Sequence, residues 1–198
     1  GNGFFETLRV DSGRPVLLAA HMARFAAAWR RFFPGDPPDV GWAEVIAQVI
    51  GANGLGETTA AVKILATRGT RHRAPFDFGL AVTARPYARR PAGADSPGLR
   101  LITYPHPRQS PLADHKTLNY LFYLEAGRWA LGRGADEALI LNPDGTVSET
   151  NSANLLLVCG GGVVRPLSPH VLLGVMEGAA LGLLAAWGFT IRREPLVP

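Results

Sequence analysis

Three prolines fall within seven residues near the middle of the chain, in Pro105-His106-Pro107-Arg108-Gln109-Ser110-Pro111. Proline fixes its own φ, lacks an N–H and pushes the residue before it out of the helical region. Neither a helix nor a central strand runs through such a stretch. The 198-residue chain is therefore read as two parts, with a boundary near 105–112 and domains at 1–107 and 108–198.

The first part opens on GNGFFETLRV. Gly1 and Gly3 lack the third glycine of a dinucleotide-binding loop, and Thr7-Leu8-Arg9-Val10 alternates like a half-buried strand. Gly1-Asn2-Gly3 thus reads as a turn into a strand over 5–10. A helix is expected over 20–33, with Met22, Phe25, Ala26, Trp29, Phe32 and Phe33 on its apolar face. His21, Arg24, Ala28 and Arg31 fall on the other face, which reads as a solvated polar stripe. A second helix fits 41–52, and strands fit 60–67, 77–84 and 99–104.

In the second part, Leu118, Leu121, Phe122, Ala126 and Trp129 predict a helix over 117–131. Ala138-Leu139-Ile140-Leu141 predicts a buried strand, turned at Asn142-Pro143-Asp144-Gly145 into a partner strand through Glu149. A hairpin across three glycines pairs 155–158 with 163–164, and a last helix fits 174–187.

Composition narrows the function classes. Hydrophobic content of 47% and charged content of 18% indicate a folded globule. No apolar run is long enough to span a membrane; Glu177 and glycines break the nearest one, over 171–189. No signal peptide is visible, and the first residue, Gly1, points to a missing natural N-terminus. A single cysteine, Cys159, excludes an internal disulfide and a cysteine-rich metal site, and a cytoplasmic protein is the simplest expectation. It follows an apolar run and reads as a core or strand-end residue rather than a nucleophile. The net charge of +4 is carried by scattered arginines, with no basic run interleaved with aromatics. A pocket for small anions is expected, not nucleic acid.

Only two lysines are present, Lys63 and Lys116, and lysine is the residue that forms an imine with an aldehyde cofactor. Lys116, in Asp114-His115-Lys116-Thr117, is placed at the start of the expected helix, where the positive helix end disfavours an ammonium. An ordinary surface lysine is the alternative. Lys63 sits inside the alternating strand Ala61-Val62-Lys63-Ile64, with no polar loop beside it. Ser148-Glu149-Thr150-Asn151-Ser152-Ala153-Asn154 gathers small polar residues able to hold a carboxylate, or is a plain polar loop. Leu173-Gly174-Val175-Met176 opens a helix whose N–H groups can bind a phosphate.

HKTLNYL, GADEALILNPDGTVSETNSANLLLV and LLGVMEG, with GNGFFETLRV and HMARF before them, resemble the fold-type IV pyridoxal-phosphate enzymes. The resemblance covers essentially the whole chain. It implies a two-domain α/β (α+β) architecture, here lacking the first strands and the C-terminal segment, and a homodimer with pyridoxal 5'-phosphate as cofactor. By this resemblance Lys116 forms the aldimine, Glu149 contacts the pyridine nitrogen, and Arg24 with the amides of Val175 and Met176 binds the phosphate. Asn154 and Tyr120 also belong to the implied cofactor site, and Phe5 lines the pocket on the substrate side. Lys116 then serves as the base beside the carbon that loses its proton.

The group includes aminodeoxychorismate lyases and branched-chain and D-amino-acid aminotransferases. Two features lean toward a lyase that releases pyruvate and 4-aminobenzoate. Met176 follows Gly174-Val175 where aminotransferases usually carry Thr-Arg, and the turn between Gly69 and Phe76 is short. Arg71 and Arg73 in that turn, with Arg68 and His72, are candidates for the substrate's carboxylates, or are simply solvated. Glu177 departs from the usual arginine and sets a negative charge near the expected phosphate. An aminotransferase remains open, as does a relative that only binds a ligand.

Overall fold

The computed structural model describes residues 1–69, 77–89 and 96–198. By their contacts they form two units. The first comprises Gly1–Ser96 and Lys116–Leu118, the second Pro97–His115 and Asn119–Pro198.

In the first unit β1 (Gly3–Asp11), β2 (Arg14–Pro15), β3 (Thr59–Arg68) and β4 (Phe78–Pro86) form an antiparallel sheet in the order β2-β1-β3-β4. Side chains alternate across a strand, so Phe4, Glu6, Leu8 and Val10 share one face of β1, and Phe5, Thr7 and Arg9 the other. The register sets Phe4 opposite Ala66 and Leu8 opposite Val62. Helices α1 (Leu18–Phe32) and α2 (Trp42–Ala52) cover the even-numbered face. Phe25, Trp29, Ile46 and Ile50 pack there with Phe4, Leu8, Val10, Val62 and Ile64. Each such side chain contributes about 1.5–3 kcal/mol on burial, and this cluster dominates the unit.

The polar stripe expected on α1 is solvated only in part. Arg31 is exposed and Ala28 joins the apolar core, but the strand face under the helix carries a carboxylate, Glu6, which draws His21 and Arg24 inward.

In the second unit β5 (Leu101–Thr103), β6 (Glu137–Leu141) and β7 (Val147–Thr150) form one sheet in that order. A second sheet has the order β10-β9-β8, from β8 (Leu157–Cys159), β9 (Gly162–Pro166) and β10 (Thr190–Glu194). Helix α3 (Leu121–Leu131) lays Ala126 and Ala130 against Ala138 and Ile140. Helix α4 (Val175–Ala186) follows β9. Both expected hairpins are present: β6 turns antiparallel into β7, and β8 into β9.

Three differences from the sequence reading stand out. The proline-rich stretch lies inside the second unit, and the contact units part at 96/97, not at 107/108. β5 pairs parallel with β6, so it belongs to the second unit. β10 has no apolar alternation to announce it; its strand form comes from parallel pairing with β9. No described helix is long and apolar enough to cross a membrane.

Candidate active site

Lys116 does not begin a helix. Helix α3 starts at Leu121, and the segment Lys116–Leu118 instead lies along the start of β1. The Phe5 N–H donates to the Lys116 carbonyl at 2.9 Å, and the Leu118 N–H donates to the Gly3 carbonyl at 2.9 Å. Phe4 and Thr117 form an antiparallel bridge between these bonds. The open edge of a strand captured a segment whose leucine spacing had suggested helix. Lys116 therefore does not sit at the N-terminus of α3, and no dipole of that helix acts on its amine from there.

This pairing explains the opening Gly-Asn-Gly. A side chain at Gly3 would run into the Ala66 carbonyl and the Leu118 side chain. Glycine is what lets β3 and the lysine segment both approach.

The Lys116 Nζ stands 4.9 Å from the centre of the Phe5 ring, and the Lys63 Nζ stands 4.5 Å from the same centre. Phe5 pairs with Leu65, two residues from Lys63, so Phe5 and Lys63 share the odd-numbered face of the sheet. The two lysines of the chain thus converge on one aromatic ring. The alternating strand around Lys63, with no polar loop beside it, gives no local signal of this; the register with β1 sets where its amine ends.

Arg24 faces Glu6. Its Nε donates to Oε1 at 2.8 Å and a terminal nitrogen donates to Oε2 at 2.7 Å, while the His21 Nδ1 lies 2.9 Å from Oε2. Glu6 is 1% exposed. Burial alone would raise its carboxyl, but the bonds from Arg24 and His21 outweigh that and hold it below the ordinary carboxylate range. Arg24 therefore lies on the helix-covered side of β1, the opposite side from Phe5 and Lys63.

Within the second unit, Glu149 is the next-to-last residue of β7 and a buried carboxylate. The Tyr123 hydroxyl donates to its Oε1 at 2.6 Å. The rest of the Ser148-to-Asn154 stretch is held by side chains. Buried Glu137 accepts from the Thr150 and Ser152 hydroxyls, each at 2.6 Å. The Asn151 Oδ1 accepts from the Ala138 N–H at 2.7 Å. Asn154 donates to the Leu172 carbonyl at 2.8 Å, and a side chain at Gly174 would collide with its Oδ1. Asn154 thereby ties this loop to the start of α4, where Val175 and Met176 present the first helical N–H groups.

Glu177 is not a bare negative charge. Arg165 holds it with two hydrogen bonds, and its side chain is only 6% exposed. The Gly174 N–H also donates to it at 3.3 Å. Tyr120 is the N-cap residue of α3, with its ring 5.0 Å from that of Tyr123. Arg71 and Arg73 lie outside the described residues, as does His72.

Sequence reading missed Tyr123, Arg108, Arg165 and Glu137. Tyr123 is one more aromatic in the helical pattern, Glu137 is one acid within GADEALIL, and Arg108 and Arg165 carry no motif of their own. Chemically, the first unit offers a primary amine over an aromatic ring. The second offers a fixed buried carboxylate and a helix start whose nearby acid is neutralised.

The model of the amino-transferase class IV family matches residues 3–198. The chain is 26% identical over 207 residues to the branched-chain-amino-acid aminotransferase-like protein 1 of Arabidopsis thaliana, covering 98% of this chain but only 36% of that protein. It is 27% identical over 209 residues to the bifunctional aminodeoxychorismate lyase / D-amino acid transaminase of Mycobacterium tuberculosis, covering 96% of this chain and 71% of that protein. A crystal structure of a candidate 4-amino-4-deoxychorismate lyase from Legionella pneumophila superimposes with a TM-score of 0.84 at 25% identity, over 100% of this chain and 74% of that one.

Proposed function

The chain belongs to the amino-transferase class IV family, and from that premise we propose a pyridoxal-phosphate-dependent 4-amino-4-deoxychorismate lyase. One observation carries the enzymatic reading: the amine of Lys116 is held over Phe5 by the backbone pairing of its segment with β1. The lyase is favoured over a transaminase by the likeness to the Legionella protein across the whole chain.

The cofactor of the family is pyridoxal 5'-phosphate, and the donor set suits it. A primary amine, Lys116, matches the aldehyde. A fixed buried carboxylate, Glu149, matches a protonated pyridine nitrogen. The N–H groups of Val175 and Met176 match the phosphate, and Arg165 removes the objection raised by Glu177. Arg24 stays in this reading as the phosphate ligand that the family resemblance implies, with its guanidinium oriented by Glu6. When bound, the cofactor supplies an electron-withdrawing ring that stabilises negative charge at the carbon losing its proton.

The chain's own residues do the rest. Glu149 keeps the ring nitrogen protonated. The Lys116 Nζ, as a neutral amine, takes the substrate's ring proton. The bond from the substrate ring to the enolpyruvyl oxygen then breaks. Pyruvate would leave as its enolate, carrying off the bonding electron pair and then gaining a proton at carbon, and the ring would become the aromatic ring of 4-aminobenzoate. Phe5 covers the amine on one side and limits water there.

A second reading, transamination, is favoured by the Arabidopsis relative and by the other activity of the Mycobacterium protein. The deciding experiment supplies aminodeoxychorismate to purified protein with added pyridoxal phosphate. Pyruvate and 4-aminobenzoate in equal amounts, absent with Lys116→Ala, support the lyase. Neither product, together with keto acid formation from an L- or D-amino acid, overturns it in favour of the transaminase. The reading includes a homodimer, which light scattering tests as a native mass of twice the 21.1 kDa chain.

A further inference from the structure

Two buried glutamates of this chain are held in different ways. Glu6 is gripped by the cationic Arg24, which fixes it and quenches its charge. Glu149 takes a 2.6 Å hydrogen bond from the phenol of Tyr123, a neutral donor that fixes a carboxylate without cancelling its charge. Tyr123 is itself buried, in the first turn of α3.

The phenol is a permanent donor. Burial raises its proton affinity, Glu149 beside it raises it further, and Arg108 only partly opposes them. Tyr123 is therefore held in its protonated, hydrogen-bond-donating form.

Arg108 completes the arrangement. Its guanidinium carbon lies 4.5 Å from the centre of the Tyr123 ring and 5.1 Å from that of Phe122. One of its terminal nitrogens is buried with no hydrogen-bond partner, and its guanidinium stacks against both rings. Its backbone N–H is anchored on the Leu141 carbonyl, at the end of β6. A cation over an aromatic face draws electron density from it. On a phenol that polarises the O–H and strengthens its bond to Glu149.

We propose that Tyr123, with Arg108 stacked on its ring, is a positioning residue that holds the charged Glu149 carboxylate at the place it needs for the cofactor's ring nitrogen. The inference rests on the reading of Glu149 given above. It adds two residues that act through Glu149 and touch no reacting atom.

The test uses the full chain and two readouts made without turnover: the dissociation constant for pyridoxal phosphate and the visible absorption of the bound cofactor against pH. Tyr123→Phe is expected to weaken cofactor binding about tenfold and to shift the pH midpoint of the visible band. Tyr123→Gln, which keeps an N–H donor, is expected to recover most of that affinity. Arg108→Met is expected to move both readouts the same way by a smaller amount. Unchanged affinity and spectrum in Tyr123→Phe, while Glu149→Gln alters both, overturn the proposal and leave the role of Glu149 standing. If Glu149→Gln also alters neither, the reading of Glu149 fails and the proposal with it. If Tyr123→Phe does not fold, Tyr123→Gln decides: affinity within about threefold of the parent protein supports the proposal, and a loss equal to that of Glu149→Gln overturns it.

Discussion

Arg165 grips Glu177 side-on, its Nε donating to Oε1 at 2.7 Å and a terminal nitrogen donating to Oε2 at 3.1 Å. The pair joins β9 to the first turn of α4, and both side chains are largely out of water. Removing either partner leaves the other charge poorly solvated. Glu177→Ala and Arg165→Ala should each destabilise the protein by about 2–4 kcal/mol, and the double variant by less than their sum. Denaturant melts of the four proteins check this. Strict additivity would mean the pair is not coupled.

Gly3→Ala should be disproportionately harmful for so small a change. The added methyl meets the Ala66 carbonyl, a backbone atom that cannot swing aside, and the Leu118 side chain. We expect a loss of about 1–3 kcal/mol and weakened borohydride trapping of cofactor on Lys116. Wild-type melting and trapping in this variant would show that the lysine segment does not depend on the close approach at Gly3.

The Glu6 network predicts a specific acid sensitivity. Its carboxyl titrates below its ordinary value of 4.5 in the folded protein, despite burial, because Arg24 and His21 bind the charged form. The stabilisation is therefore complete above that value and is lost as pH falls through the depressed folded one. Glu6→Gln should cost about 3–5 kcal/mol at neutral pH, with the gap to the parent protein narrowing below pH 4.5. Urea titrations at several pH values measure it. A gap that stays constant down to acid pH would falsify the linkage.

The two lysines should separate by chemistry, although both stand on Phe5. Lys116→Met is expected to abolish borohydride trapping of pyridoxal phosphate, and Lys63→Met to leave a trapped adduct on Lys116. Peptide mapping after reduction reads the modified residue. An adduct on Lys63 in the parent protein removes Lys116 from its proposed role.

Much of the fold was legible because it rests on local pattern. The alternation of GFFETLRV, the Asn142-Pro143-Asp144-Gly145 turn and the spacing of Phe25 and Trp29 each name their element without help from distant residues. What stayed hidden depends on partners far along the chain. Lys116–Leu118 has helical leucine spacing on paper and becomes strand-like because β1 offers it unpaired backbone groups. Arg24 looked solvated because nothing in its own helix reveals Glu6 beneath it. Arg165 could be matched to Glu177 only once β9 and α4 were placed side by side. The sequence motif pointed to Lys116 and Glu149, while the residues that hold them were set by tertiary pairing.

The bridge between Phe4 and Thr117 also dictates an order of events during synthesis. Its two halves lie far apart along the chain, so β1 leaves the ribosome well before its lysine-bearing partner. The sheet and helices of the early part can condense first, but the Phe4 edge stays open until residue 118 has emerged. Until then Lys116 is one amine among many in the cell. The backbone pairing that sets the Lys116 amine over Phe5 is made only at that late closure.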